Sequence, residues 1–443
     1  MKRATILFCF QLIVCMVIFA DHAMTQDSGS KSTRTSHPTP APHVPKAILM
    51  DTVRLTQDDY WDLYPAIAFS ATSSQGSILW TKRVSSRDHE MYCSFWNNGQ
   101  WQSPTYVPGQ QSSGHKNGHS LCYRTGTSDL IALSGGSFNG IPTANEVDSR
   151  QCLSGNWDAG PVRLGDKVDD DDYPGGVRYS LNSSYALGIW QDAAVYYNND
   201  GRTNIIGQIW NHSTLSWGDK YIIQPNTGML PRHVLKIDNC LALDPITDSW
   251  IIAYQTEPTG FGSERDEAEI AYHVGNVNLG SIQFGPEEVL SGNDVYDGAP
   301  IVSFNNDGDG AIFWSKNVKK QKFDLMVSRW NPSTLKFENA SQITDDDLYN
   351  RVHTAVPAWN GWHVIFTRQL TPIPPTEMFY AWYDGVGLKH FSMLTFNDQY
   401  EGDYFYGIHA GETNTGEIYV VWAQWDGTNH TSMEIYVGEL VFL

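Results

Sequence analysis

The side chains best suited to chemistry in this sequence are scattered. His115 and His119 lie four apart in Ser113-Gly-His-Lys-Asn-Gly-His-Ser120. Two histidines at that spacing on a helix could hold zinc, but the two glycines make the segment a loop, so no metal ligand set is expected. Imidazole titrates near neutrality, which suits proton transfer. Tyr196, Tyr197 and Arg202 share a polar stretch, residues 191–202, directly after Trp190, and Tyr254 ends a later apolar run. Arg265 and Arg368 occupy two further loops. Such a set could hold an anion beside a titrating group, but only if elements far apart in the chain bring it together.

Those elements repeat. Tyr64-Pro-Ala-Ile-Ala-Phe69 is followed by Ile78-Leu-Trp80, Met91-Tyr-Cys-Ser-Phe-Trp96 and Trp101-Gln-Ser-Pro-Thr-Tyr106. The same succession of four short strands returns at Ala299-Pro-Ile-Val-Ser-Phe304, Ala311-Ile-Phe-Trp314, Leu325-Met-Val-Ser-Arg-Trp330 and Lys336-Phe337. It returns again around Val177, Leu187-Gly-Ile-Trp190, residues 205–210 and Tyr221-Ile-Ile223, with weaker copies near His119, Asn239, Ala355 and Gly407. A period of roughly fifty residues is that of propeller blades. Seven units fit, the last one strand short, and residues 47–55 form an unassigned apolar strand ahead of the first. The fold class expected is therefore all-β: a seven-bladed β-propeller whose ring is closed by an N-terminal strand completing the last blade. Trp80, Trp190, Trp314 and Trp422 fall at the same repeat position, which signals blade packing more than sugar stacking.

Composition bounds the function. The 443 residues carry 49 Asp and Glu against 29 Lys and Arg, a net charge of −20, and this excludes a nonspecific nucleic-acid binder. Aromatics at 13% mark a folded chain. Residues 1–20 read as a signal peptide: Lys2 and Arg3, an apolar run over 6–19 that is short for a membrane span, and Ala20. Residues 21–46 form a Ser/Thr/Pro-rich spacer expected to be disordered, and 47–443 the propeller. A secreted, extracellular or periplasmic monomer with no membrane span after signal cleavage is expected. Cys93, Cys122, Cys152 and Cys240 would remain, enough for two disulfides in an oxidising compartment.

Placing the linkers and loops on one face gives an uneven charge map. The linkers leading into the first strands are acidic: Asp58, Asp59 and Asp62; Asp169 to Asp172; Asp294 and Asp297; Asp345 to Asp347; Asp398, Glu401 and Asp403. The loops between second and third strands are basic, with Arg83, Arg87, Arg202, Arg265, Lys316, Lys319, Lys320, Lys322 and Arg368. That pattern suggests local anion binding on an acidic protein. The acidic linkers also leave room for a structural calcium. The Asn305-Asn-Asp-Gly-Asp-Gly310 run looks like part of a calcium loop but is better read as a hairpin turn.

By repeat shape, residues 47–443 resemble the sialidase-type, BNR-like propellers. The Phe/Tyr-Arg-Ile-Pro segment and Ser-x-Asp-x-Gly-x-x-Trp boxes of sialidases are missing, and Arg178, Arg232 and Arg351 make no convincing arginine triad. The chain also resembles the secreted seven-bladed lyases that cleave ulvan. That resemblance implies β-elimination at a uronic acid, with an Arg neutralising the carboxylate and His and Tyr moving protons. By blade position it implies His119, Tyr197, Arg202 and Tyr254 as catalytic residues, with His115, Tyr196, Trp190, Arg265 and Arg368 binding an extracellular polysaccharide. The second family histidine has no counterpart in Ser134-Gly-Gly-Ser-Phe138. The competing readings are a non-catalytic, lectin-like glycan- or protein-binding propeller and a glycoside hydrolase, which would need two carboxylates flanking the bond.

Overall fold

The apolar runs are short, rich in β-branched and aromatic residues, and cut by Gly, Asn and Asp, so each can form a strand but none a long helix. A computed structural model describes residues 46–443 apart from 86–87, 109–111, 114–117, 138–144, 165–170, 194–202, 226–231, 237, 258–267, 294, 320–321, 371–375, 396–406 and 426–431. Among the described residues there is no helix, and so none long and apolar enough to cross a membrane.

The strands follow one another as antiparallel meanders. The first runs through Trp61–Phe69, Gly76–Arg83 and Asp88–Asn97 to the short outer pieces Gln100–Trp101 and Thr105–Tyr106. The expected repeat at 299–337 becomes Asp297–Phe304, Gly310–Lys319, Lys322–Asn331 and Lys336–Phe337. The weaker copies are strands too, beginning with His119–Tyr123, Leu241–Asp244, Tyr349–Ala358 and Ile408–Glu412. The fourth is broken at its start: Arg232–Val234 and Leu241–Asp244 both pair with Ser249–Glu257, leaving Leu235, Lys236, Asp238 and Asn239 outside the ladder. Hydrogen bonds group the strands into sheets of 10, 5, 4, 6 and 9 strands. In the two largest, neighbouring meanders are joined by a single parallel bridge, Trp61 to Met433 and Phe323 to Tyr349. The N-terminal strand Ala47–Arg54 pairs antiparallel with Met433–Phe442, placing Ala47 opposite Phe442 and covering the outer edge of the last meander.

The core lies between meanders. Second strands are apolar on both faces because a neighbour covers each: Ile78, Leu79 and Trp80 are buried, as are Ile312, Phe313 and Trp314. Ile131, Leu133, Val177, Trp190 and Trp210 pack into one cluster between the second and third meanders. Another cluster joins Ile78 and Trp80 of the first meander to Val421 and Ile435 of the last. Emptying one such Trp site would cost about 3–5 kcal/mol.

Asp-x-x-Pro is a recurrent device. In Asp62-Leu-Tyr-Pro65 and Asp297-Gly-Ala-Pro300 the register slips at a bulge, and Tyr64 and Ala299 take φ of +55° and +56°. The Asp ahead of the bulge accepts the indole N–H of the buried Trp on the next strand, Trp80 to Asp62 at 2.7 Å and Trp314 to Asp297 at 2.6 Å. A buried indole needs such an acceptor, so part of the linker acidity is structural. The Asn305–Gly310 segment is a turn closed on itself: Asn305 Oδ1 accepts the Asp307 and Asp309 N–H groups, and Gly308 supplies φ +84°. Among the described residues no group of three or more His, Cys, Asp or Glu is placed to hold a metal. The four cysteines that the sequence allowed to form two disulfides are all free, with Cys93, Cys152 and Cys240 buried.

Candidate functional site

Two of the loop cations expected to be free, Lys322 and Arg368, and Lys82 beside them, are met by carboxylates of the linkers. Lys82 pairs with Asp58, Lys322 with Asp347, and Arg368 with Asp346 at 2.6 Å. Each is a loop-side cation meeting a lead-in carboxylate, so at these positions the two charge classes answer one another instead of leaving an anion surface. Arg368, expected at substrate, also donates from Nε to Asn350 at 2.8 Å and lies over Phe366, Phe379 and Phe391. Asp62 is fully buried; one oxygen serves Trp80 and the other has no hydrogen-bond partner. Burial raises its pKa to about 7, against the pull of Lys82.

The sequence-derived residues scatter. His119 opens the first strand of the second meander, where Gly118 with φ +95° turns the chain. Its Nε2 lies 2.9 Å from Thr81 Oγ1 on the first meander, and only 1% of the residue is exposed. Tyr254 is wholly buried. Its hydroxyl donates to Glu287 at 2.6 Å and lies 3.0 Å from His273 Nε2, which in turn is 3.0 Å from Gln224 Oε1. Burial and then Glu287 push the Tyr254 pKa far up, so the phenol keeps its proton. Trp190, 1% exposed, faces protein on all sides, with Lys220 Nζ 5.9 Å from its ring. His115, Tyr196, Tyr197, Arg202 and Arg265 lie outside the described residues. His119, Tyr254, Trp190 and Arg368 thus occupy separate environments and form no common cluster.

A different set does converge, where the first strands meet. Arg178 of the third meander donates to Asp238 Oδ1 at 3.1 Å and to the Asp238 carbonyl at 2.6 Å. Ser120 of the second meander donates to the same Oδ1 at 2.7 Å, and His409 of the last lies 3.5 Å from Oδ2. Burial would raise the Asp238 pKa, but Arg178, His409 and Ser120 together hold it below the usual carboxylate range. Beside it, Asn239 Nδ2 donates to the His353 carbonyl at 3.4 Å and Lys236 Nζ to the Val352 carbonyl at 2.8 Å, both across to the sixth meander. Arg351, exposed, precedes Val352. Burial, and then the Arg351 charge, hold the Lys236 amine well below its ordinary pKa. Burial with Lys236, Arg351 and His409 does the same for His353. On the other side of Arg178 and Asp238 a cavity of about 470 Å³ is lined by all the first strands, among them Phe69, Tyr123, Ala242, Phe304, Val356 and Gly411.

This cluster depends on the broken fourth meander. Leu235, Lys236, Asp238 and Asn239 leave the ladder, Asp238 takes φ +67°, and Lys236, Asp238 and Asn239 reach across to other meanders. Within the sequence the signal was Lys-Ile-Asp-Asn between two apolar runs, which repeat alignment passes over as a weak copy.

No family model matches the chain, and no curated protein matches its sequence. Solved structures do match. An ulvan lyase of a polysaccharide lyase family is 10% identical, with a TM-score of 0.55 over 86% of this chain and 95% of that one. An α-L-arabinofuranosidase from Fusarium graminearum is 9% identical, with a TM-score of 0.50 over 90% and 98%. A sialidase from Streptococcus pneumoniae is 11% identical, with a TM-score of 0.47 over 89% and 70%. At these identities the likeness is one of fold. The chain has an all-β propeller fold similar to that of the ulvan lyase.

Proposed function

We propose that the protein is a secreted, monomeric, carbohydrate-active propeller of seven blades that cleaves a uronate-containing polysaccharide by β-elimination. With the two single-residue bridges set aside, the sheets separate into seven meanders. First strands neighbour one another in succession, Trp61–Phe69 with His119–Tyr123 and onward to Ile408–Glu412, which neighbours Trp61–Phe69 again. That order supports one closed ring. Lys2, Arg3 and the apolar run after them support secretion.

The observation that carries the functional reading is the single lopsided polar cluster at the centre. Ser120, Arg178, Asp238, His353 and His409 come from five meanders and differ in kind, whereas a lectin of seven equal sites would repeat one set. Arg178 is paired with Asp238 while Lys236 and Arg351 have no ion pair among the described residues, an excess of positive charge that suits an anionic sugar. In β-elimination a cation neutralises the uronate carboxylate and so acidifies C5–H. A base takes that proton, the electron pair forms C4=C5, and the C4–O bond breaks with a proton delivered to the leaving oxygen. Arg202 is proposed to neutralise the carboxylate, with His119 and Tyr197 moving the protons. Tyr254, held by Glu287, is proposed to set the wall of the site.

A non-catalytic glycan-binding propeller is favoured by one observation: His119 and Tyr254 are both buried and bonded to protein groups. Incubation with ulvan and other polyuronates, following absorbance of the unsaturated product, separates the two. Product formation that Arg202→Ala lowers by orders of magnitude supports the lyase. Retained glycan binding with no product from any polyuronate refutes it.

A further inference from the structure

Lys236 Nζ reaches the Val352 carbonyl at 2.8 Å, next in the chain to Arg351, which brings two like charges to one strand at the centre. The Lys236 ammonium has three N–H donors, and its hydrogen bond is to the Val352 carbonyl. Among the described residues neither side chain has a carboxylate partner: Asp238 is taken by Arg178, Ser120 and His409. The loop cations Lys82, Lys322 and Arg368 show what this protein does elsewhere, which is to set a lead-in Asp against each. A half-buried ammonium beside a guanidinium with no counter-charge is unfavourable, and an anion between them relieves both the repulsion and the unmet donors. Arg351 is exposed and its planar fork can take two oxygens of one oxyanion, while Lys236 supplies a point charge.

We propose that Lys236 and Arg351 form a clamp for a singly charged oxyanion on a sugar, a carboxylate or a sulfate ester. This deepens the reading above and rests on its placing the glycan over the centre. The clamp fixes which charged group of the chain is held there, and the neutral backbone of the glycan is left to other contacts.

The test is thermal unfolding and calorimetric titration of the full chain with glucuronate, glucose 6-sulfate and glucose at matched ionic strength. Binding to the folded state raises the midpoint by mass action, so an occupied clamp is read directly. Glucuronate, glucose 6-sulfate or both should raise it and glucose should not; which acid sugar responds identifies the group held. Arg351→Gln should weaken that binding at least tenfold. Lys236→Met should do the same while its ligand-free midpoint stays at or above that of the parent, because an unpaired charge has left. Should Lys236→Met fail to fold, Arg351→Gln decides alone. Equal shifts in the parent and Arg351→Gln, or no shift with either acid sugar, overturn the clamp. Failure here is separable from failure of the lyase reading. Acid-sugar binding lost in the variants, with no unsaturated product from any polyuronate, keeps the clamp and removes the lyase. Full-rate product formation by both variants removes the clamp alone.

Discussion

At the rim of the molecule cations meet carboxylates; at the centre, among the described residues, two of them do not. Lys82, Lys322 and Arg368 each pair with an Asp of a lead-in linker, and the linker carboxylates Asp62 and Asp297 hold buried indoles. The centre has Arg178 and Asp238 matched, but Lys236, bonded to the carbonyl next to Arg351, and Arg351 have no carboxylate partner among the described residues. Both regions draw on the same residue types. The difference is that the Lys82, Lys322 and Arg368 pairs close between neighbouring segments, whereas the centre depends on groups from separate meanders. Charge counted along the sequence does not show which cations are already paired: Lys322 and Arg368 stand in the basic loops, yet each meets an Asp.

The sharpest way to break this contrast is at Arg178. Arg178→Met leaves the buried Asp238 carboxylate without its main counter-charge and should cost about 3 kcal/mol of stability, at the low end for a broken buried pair because the guanidinium is partly wet. Denaturant unfolding checks it, and adding Asp238→Asn should recover most of the loss. At the rim, Asp297→Ala leaves the Trp314 indole buried without its acceptor and should cost about 1–3 kcal/mol by the same measurement. Asp62→Asn tests the rim through pH. The folded protein holds Asp62 near 7, above its ordinary 3.8, so the contribution of that group is greatest below about pH 4 and is lost as pH rises through 7. Asparagine can still accept from Trp80. The melting point of Asp62→Asn should therefore gain on the parent steadily from pH 5 to pH 8, and a constant difference would show that Asp62 is ionised throughout. Smallest of all, Lys322→Gln removes an exposed pair and should leave the melting point unmoved.

Much of the fold was legible because strand length and turn chemistry are local. The Ala299–Phe304 run lies in the strand Asp297–Phe304, the Ala311–Trp314 run is the apolar core of the longer Gly310–Lys319, and the strand from 47 found its place on Met433–Phe442. The bulges at Tyr64 and Ala299 were equally present in the sequence as Asp-x-x-Pro with a Trp seventeen or eighteen residues later, but that spacing records packing between strands and carries no chemistry of its own. The site was far less legible. Trp190 and Tyr254 were chosen by repeat position, yet position along a strand does not say which face a neighbouring meander will cover, and both are buried. Lys236 and Asp238 sit where the fourth meander loses its register, so the irregularity that assembles the central cluster also weakened the repeat that would have pointed to it.

The account stands or falls on where a uronate binds. A crystal structure of the full chain with a sulfated uronate oligosaccharide should place a carboxylate or a sulfate ester of the chain between Lys236 Nζ and the Arg351 guanidinium, within hydrogen-bond distance of both. An oligosaccharide seated on the rim, with the space between Lys236 and Arg351 holding only solvent, would contradict it.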